Sequence, residues 1–130
     1  MSRVMAIDYG DTRTGVAFSD ILRTITGETL VITETNAKKL AEKLAELAKS
    51  READTVVLGL PINMDGSEGF RAEKTRKFAE LLPFEVVFRD ERLTSVSAHA
   101  ILRGNGKKTS KHKQSVDAVA AALILESFLS

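Results

Sequence analysis

Two short apolar runs separated by a polar turn constrain this chain more than any other feature. Val4-Met5-Ala6-Ile7 is unbroken and suits a buried strand. It stops at a carboxylate, Asp8, followed by Tyr9, Gly10 and a polar stretch, and a second run, Val16-Ala17-Phe18, opens after Gly15. Too few residues lie between the runs for a helical crossover, so they are expected to pair as an antiparallel hairpin. Asp8 then stands where a buried strand emerges into a turn. A partly desolvated carboxylate there seeks a cation, a metal or a set of N–H donors. Two readings follow from this stretch: an Asp that opens a turn by accepting from later backbone N–H groups, or a functional acid.

The rest of the chain sets Asp8 in context. With 130 residues it suits one domain, 1–130, long enough to bury a core. A third strand is expected over Glu28–Thr33 and a helix from its cap Asn36 through Lys49, with Leu40, Leu44 and Leu47 on one face. Thr55–Leu60 is apolar enough for a central strand, ended by Pro61. The loop from Pro61 to Glu68 leads to a helix reaching about Leu82, and Asp65 and Glu68 have the spacing of a capping box. Phe84–Phe88 is expected as a fifth strand. A short helix follows, capped at Thr94 or Ser95, ending near Arg103 and stopped by Gly104. A basic loop to Lys113 precedes a last apolar helix, Ser115–Leu129.

This order predicts an α/β chain with a five-stranded mixed sheet flanked by helices, the later strands joined by right-handed crossovers. The first strand and the two later ones can lie parallel, with Asp8, Pro61 and Asp90 at one edge. Ligands of open α/β sheets bind outside the carboxyl ends of the strands.

Two further acids belong to that edge. Glu91 follows the fifth strand, and Asp117 lies in the first turn expected for the last helix, its one charge until Glu126. Singly, each has a plain explanation: Asp117 complements the helix dipole, and Glu91 pairs with Arg89 or Arg92. Together, three carboxylates at one edge repel each other unless cations lie between them. Magnesium takes hard oxygen ligands, and two ions about 3.5–4 Å apart serve phosphodiester cleavage. Asp8, on the most rigid element, is the expected bridging ligand. Neither His99, inside a helix, nor His112, in the basic loop, has the position of a general base. Cysteine is absent, which excludes thiol chemistry, disulfides and Cys-based zinc sites. No apolar run approaches a membrane span and no basic-then-apolar leader opens the chain, so a cytoplasmic protein with no membrane partner is expected.

Four motifs in order make a resemblance. Asp8-Tyr9-Gly10 with Arg13 and Gly15-Val16-Ala17, then Gly59-Leu60-Pro61 with Asn63-Met64-Asp65-Gly66, then Asp90-Glu91-Arg92-Leu93-Thr94-Ser95, then Val116-Asp117 with Ala120-Ala121 and Ile124-Leu125, resemble the YqgF (RuvX) family over essentially the whole chain. The resemblance implies an RNase H-like fold related to the Holliday-junction resolvase RuvC. It also implies a cytoplasmic bacterial nuclease maturing the 5′ end of pre-16S ribosomal RNA. Asp8, Glu91 and Asp117 then match the acidic, metal-holding positions, for Mg²⁺ or Mn²⁺, two ions. RNase H-like nucleases often carry a fourth carboxylate; Asp65 and Asp90 are the options here.

Substrate grip is expected from positive charge. Arg103, Lys107, Lys108, Lys111 and Lys113 fall in one stretch without an acid, in a chain whose net charge is only +1. A basic loop leading into Asp117 suits a clamp on a phosphate backbone, though it also suits a solvated loop. Arg13 and Arg92 flank two of the acids and suit the scissile phosphate, and Asn63 with its helix N-terminus suits another phosphate. The scattered aromatics argue against a base-stacking platform. Structured RNA is the expected substrate, with structured DNA and a ribosomal partner as further possibilities. Other readings compete. Junction resolution follows from fold relationship, and a non-catalytic RNA-binding module follows from the absent base and fourth acid. Asp8-x-Gly10-x-x-x-x-Gly15 also resembles the phosphate loop of actin-like ATPases and sugar kinases, which bind ATP between two such domains.

Overall fold

The structure, a computed structural model, describes residues 2–90 and 109–130. Five strands form one sheet: β1 (Arg3–Asp8), β2 (Arg13–Ser19), β3 (Thr26–Thr33), β4 (Ala53–Leu60) and β5 (Val87–Asp90). Their order across the sheet is β3-β2-β1-β4-β5. As the short gap demands, β1 and β2 pair antiparallel, and β3 adds antiparallel to β2. β4 and β5 add parallel on the other side of β1. The carboxyl ends of β1, β4 and β5 therefore share one edge, where β2 begins at Arg13.

Helices cover both faces. α1 (Ala37–Ser50) and α2 (Phe70–Ala79) lie on one, α3 (Thr109–Leu129) on the other. Strand alternation sorts the side chains between them. Met5, Ile7, Val16, Phe18, Val56 and Leu58 meet Leu40, Leu44 and Phe78 from α1 and α2. Val4, Ala6, Ala17 and Val57 meet Ala121, Ile124 and Leu125 of α3. The second layer has alanines at Ala6, Ala17 and Ala121 where the first has Met5, Ile7 and Phe18, and α3 packs closely enough on β2 to touch Gly15 with its backbone. Its C-terminal part is tied to the sheet's edge by Arg89 of β5, which donates from Nε to Ser127 Oγ (2.9 Å) and from a terminal nitrogen to the Ser127 carbonyl (2.8 Å).

Local signals account for most boundaries. Asn36 caps α1, its Oδ1 accepting from the Lys39 N–H at 3.0 Å. Ser19 finishes the hairpin by accepting from the Val4 N–H at 2.8 Å. Three expectations are corrected. β5 spans 87–90 rather than 84–88: Phe84 and Val86 pack against the large-residue core without joining the ladder. α2 starts at Phe70 behind Gly69, not at an Asp65 cap. The Asp65 carboxylate instead accepts from the Ser67 N–H and hydroxyl (2.9 and 2.6 Å), and Glu68 is held by Arg76 (2.6 Å). Finally, α3 begins at Thr109, so the last part of the expected basic loop is helical. Its polar lead-in lacks the apolar recurrence that marks a helix in sequence. The helix expected after Thr94 lies outside the described residues. Among the described residues, no helix is long and apolar enough to cross a membrane.

Ile124 is fully buried between α3 and the sheet. Ile124→Ala is expected to lower the unfolding free energy by about 2–5 kcal/mol, read as a drop in the urea midpoint with little change in slope.

Candidate active site

β1 delivers Asp8 to the carboxyl edge, and alternation decides which face it serves. Ile7 points into the large-residue core, so Asp8 belongs with Val4 and Ala6 on the α3 face. Its partner in the ladder is Gly15 of β2. Directly opposed residues hold their Cβ positions about 5 Å apart. Gly15 leaves that position empty, and α3 fills it with backbone. A Cβ at Gly15 would overlap the Asp117 carbonyl oxygen and stand 2.6 Å from the carbonyl carbon. Asp117 thus rests against β2 beside Asp8 because residue 15 has no side chain.

Arg13, two residues before Gly15, shares its face and reaches Asp117: Nε donates to Oδ2 at 3.3 Å. Both side chains are half-buried. A guanidinium is a permanent cation with further donors in a fixed fork. It offsets one carboxylate and keeps N–H groups for an incoming anion. The turn that holds this geometry is closed by buried Thr14, whose hydroxyl accepts from the Gly10 N–H (3.3 Å) and donates to the Gly10 carbonyl (3.4 Å). Tyr9, just after Asp8, turns to the other face and stacks on Phe78 of α2, with centroids 4.2 Å apart and planes 10° from parallel. The strand end carrying Asp8 is therefore clamped on both sides. On the α2 side, Lys74 pairs with Asp11, and that hydrogen bond is the main reason its ammonium pKa is raised above the ordinary lysine value.

The structure thus brings Asp8, Asp117 and Arg13 together. Asp117 lies well inside α3 rather than in its first turn, so dipole complementation does not explain it. Lys111 and Lys113 belong to the helical segment that leads into Asp117. Glu91, Arg92, Lys107 and Lys108 lie outside the described residues. No group of three or more potential metal-holding acids or histidines occurs among the described residues. Asn63 is on the same edge, but its side-chain amide donates to the Ser67 hydroxyl at 3.1 Å and its backbone closes the same turn. It shapes the loop. Of the options for a fourth acid, Asp90 registers with Leu60 on the face opposite Asp8, and Asp65 is turned to Ser67. Sequence reasoning missed the part played by Gly15. The available signal was a glycine opposite the key acid, in a strand whose next residue on that face, Ala17, is also small.

The β3-β2-β1-β4-β5 sheet with helices on both faces defines a class, the RNase H-like fold in its RuvC-like form. Thermus thermophilus RuvC in complex with a Holliday junction substrate superposes with a TM-score of 0.59 at 16% identity, covering 100% of this chain and 97% of that one. Fowlpox virus resolvase with junction DNA gives 0.54 at 13% identity, covering 98% and 99%. The family described as "RuvX: Holliday junction resolvase" matches residues 2–130, and the chain belongs to it. Relatives from Endomicrobium trichonymphae (42% identical, 99% of this chain and 96% of theirs) and Ruminiclostridium cellulolyticum (40%, 98% and 93%) carry the description "Putative pre-16S rRNA nuclease".

Gly15→Ala is expected to push α3 off β2 and to cost about 1–3 kcal/mol of stability. Gly27→Ala is the control, because a Cβ there meets its nearest atom at an ordinary 3.4 Å. Urea unfolding of both variants checks the contrast.

Proposed function

We propose that this chain is a divalent-metal-dependent nuclease of structured RNA that trims the 5′ side of pre-16S ribosomal RNA in the cytoplasm, as one domain over residues 1–130. The observation that carries the reading is the seating of Asp117 backbone on Gly15, which sets a second carboxylate beside Asp8 at the ligand-binding edge. The description borne by the 40–42% identical relatives supports the RNA substrate.

The donor set suits hard cations, since carboxylate oxygens are what Mg²⁺ and Mn²⁺ take. Asp8, Asp117 and Glu91 are the residues that would hold two such ions. When bound, these ions supply water activation and charge stabilisation at the leaving oxygen. The chain's own residues do the rest. Asp8 is fixed by the rigid centre of the sheet, so its oxygens need no reorganisation. Arg13 holds Asp117 in place with Nε and offers its remaining N–H groups to the scissile phosphate, a geometry guanidinium matches well. Lys107, Lys108, Lys111, Lys113 and Arg92 supply sequence-independent grip on flanking phosphates. Asn63 keeps the neighbouring loop in shape for the strand to pass.

The family's description favours a second reading, structure-selective cleavage of DNA junctions. One experiment separates them: a 5′-extended pre-16S fragment and a four-way DNA junction, each with Mg²⁺ or Mn²⁺. Wild type is expected to cut the RNA, and Asp8→Asn and Asp117→Asn to lower the rate by at least a hundredfold while still binding it. Preferential junction cutting would replace the RNA reading, and binding without metal-dependent cutting would leave a recognition module. Independently, replacing the four lysines with glutamine is expected to flatten the log–log salt dependence of RNA binding by about 3, measured by filter binding.

A further inference from the structure

Five of the six phenylalanines are accounted for by packing. Phe18 and Phe78 are buried, Phe84 and Phe88 pack against the large-residue core, and Phe128 packs against the α3 layer. Phe70 is 77% exposed at the first position of α2. Its ring borders a cleft of about 90 Å³ lined by Tyr9, Gly10, Asp11, Arg71, Lys74 and Thr75. Two walls of that cleft come from different parts of the chain: the turn immediately after Asp8, and the first turns of α2. Aromatic surface therefore stands beside the site without serving the core.

Charge distinguishes the two sides of the Phe70 ring. On the cleft side stand Arg71 and Lys74 against a single acid, Asp11. On the other, Glu68, Glu73 and Glu80 face Arg76 and Lys77, with Arg76 held by Glu68 and Lys77 paired with Glu73. An anion is favoured only on the cleft side. Asp11 does not close that side, because its pair with Lys74 is exposed, and exposed pairs are worth about 0–1 kcal/mol. A phosphate can take its place. At about 90 Å³ the cleft has room for a phosphate but not for a base, which leaves a base to lie on the open ring.

We infer that the cleft between Tyr9–Asp11 and the start of α2 is a subsite for one unpaired nucleotide of the substrate strand, its base stacked on Phe70 and its phosphate held by Arg71 and Lys74. This rests on the reading of the adjacent edge as a nucleic-acid site and adds a specificity to it. The subsite lies on the α2 face and the acids on the α3 face of the same edge, so a strand crossing the edge occupies both. A duplex presents no free base face to the ring. The chain therefore selects substrates with single-stranded character next to the scissile bond. Every base has a π-face, so the selection is for unpaired structure rather than sequence.

The chain contains no tryptophan, so Phe70→Trp introduces one tryptophan at the proposed contact, excited at the red edge where Tyr9 does not absorb. With EDTA present to prevent cleavage, that variant is titrated with a ten-nucleotide single-stranded RNA and with a duplex of the same length. Anisotropy of the labelled RNA is followed in parallel. The expected result is saturable quenching by the single strand and little by the duplex. Phe70→Ala should weaken single-strand binding by about 5- to 150-fold, the span of one stacked base, with duplex binding unchanged. Arg71→Gln with Lys74→Gln should weaken single-strand binding and its quenching together. Binding by anisotropy without quenching, or equal affinity of Phe70→Ala and wild type, overturns the subsite and leaves the nuclease reading intact. No RNA binding by wild type overturns both.

Discussion

The contact on which the site depends is between backbone and backbone. α3 descends onto β2 until its chain at Asp117 occupies the space that a side chain at residue 15 would need. Small residues on the α3 face, Ala6 and Ala17 in the sheet and Ala121 in the helix, permit that approach over its length. Burial of Ile124 and Leu125 drives it. A helix held by larger side chains would stand farther out, and Asp117 would project into solvent instead of beside Asp8. Close packing here decides where Asp117 stands as well as how stable the fold is.

The same contact explains Arg13. A carboxylate lowered onto the sheet needs compensation, and a strand that already faces α3 supplies it two residues before Gly15. The guanidinium meets Asp117 at the surface end of the contact, half-exposed and within reach of a phosphate. On the far face, the stack of Tyr9 on Phe78 holds the turn after Asp8 against α2. Asp8 thus sits between two opposed anchors, which fix the end of its strand. It also places the α2 cleft one residue away from Asp8, on the same turn.

Much of this was legible in sequence because it is local. The hairpin followed from the few residues between Ile7 and Val16, the α1 cap from Asn36, and the strand polarity from the order of elements. The family motifs pointed to Asp8 and Asp117. Boundaries failed where long-range pairing or polar composition set them. Phe84 and Val86 have strand-like character but pack as a coil. The Asp65–Glu68 spacing fits a cap, yet Arg76 takes Glu68 and Ser67 takes Asp65. The polar start of α3 carries no apolar period to announce it. The exposure of Phe70 is not legible in sequence, because a lone phenylalanine gives no sign of which side of a helix start it takes.

By itself, the sequence determined the alternation that sends Asp8 to one face and Ile7 to the other, the parallel crossovers that gather three strand ends, and the residues able to hold a cation. These follow from periodicity and chain length, which act over a few residues. Only the tertiary structure decided that Asp117 settles on Gly15, the ladder partner of Asp8, that Arg13 closes on Asp117 and that Phe70 stays exposed beside that edge. Those outcomes depend on how deeply α3 settles on the sheet and where α2 begins. Both are fixed by packing between segments up to a hundred residues apart, which no local pattern encodes.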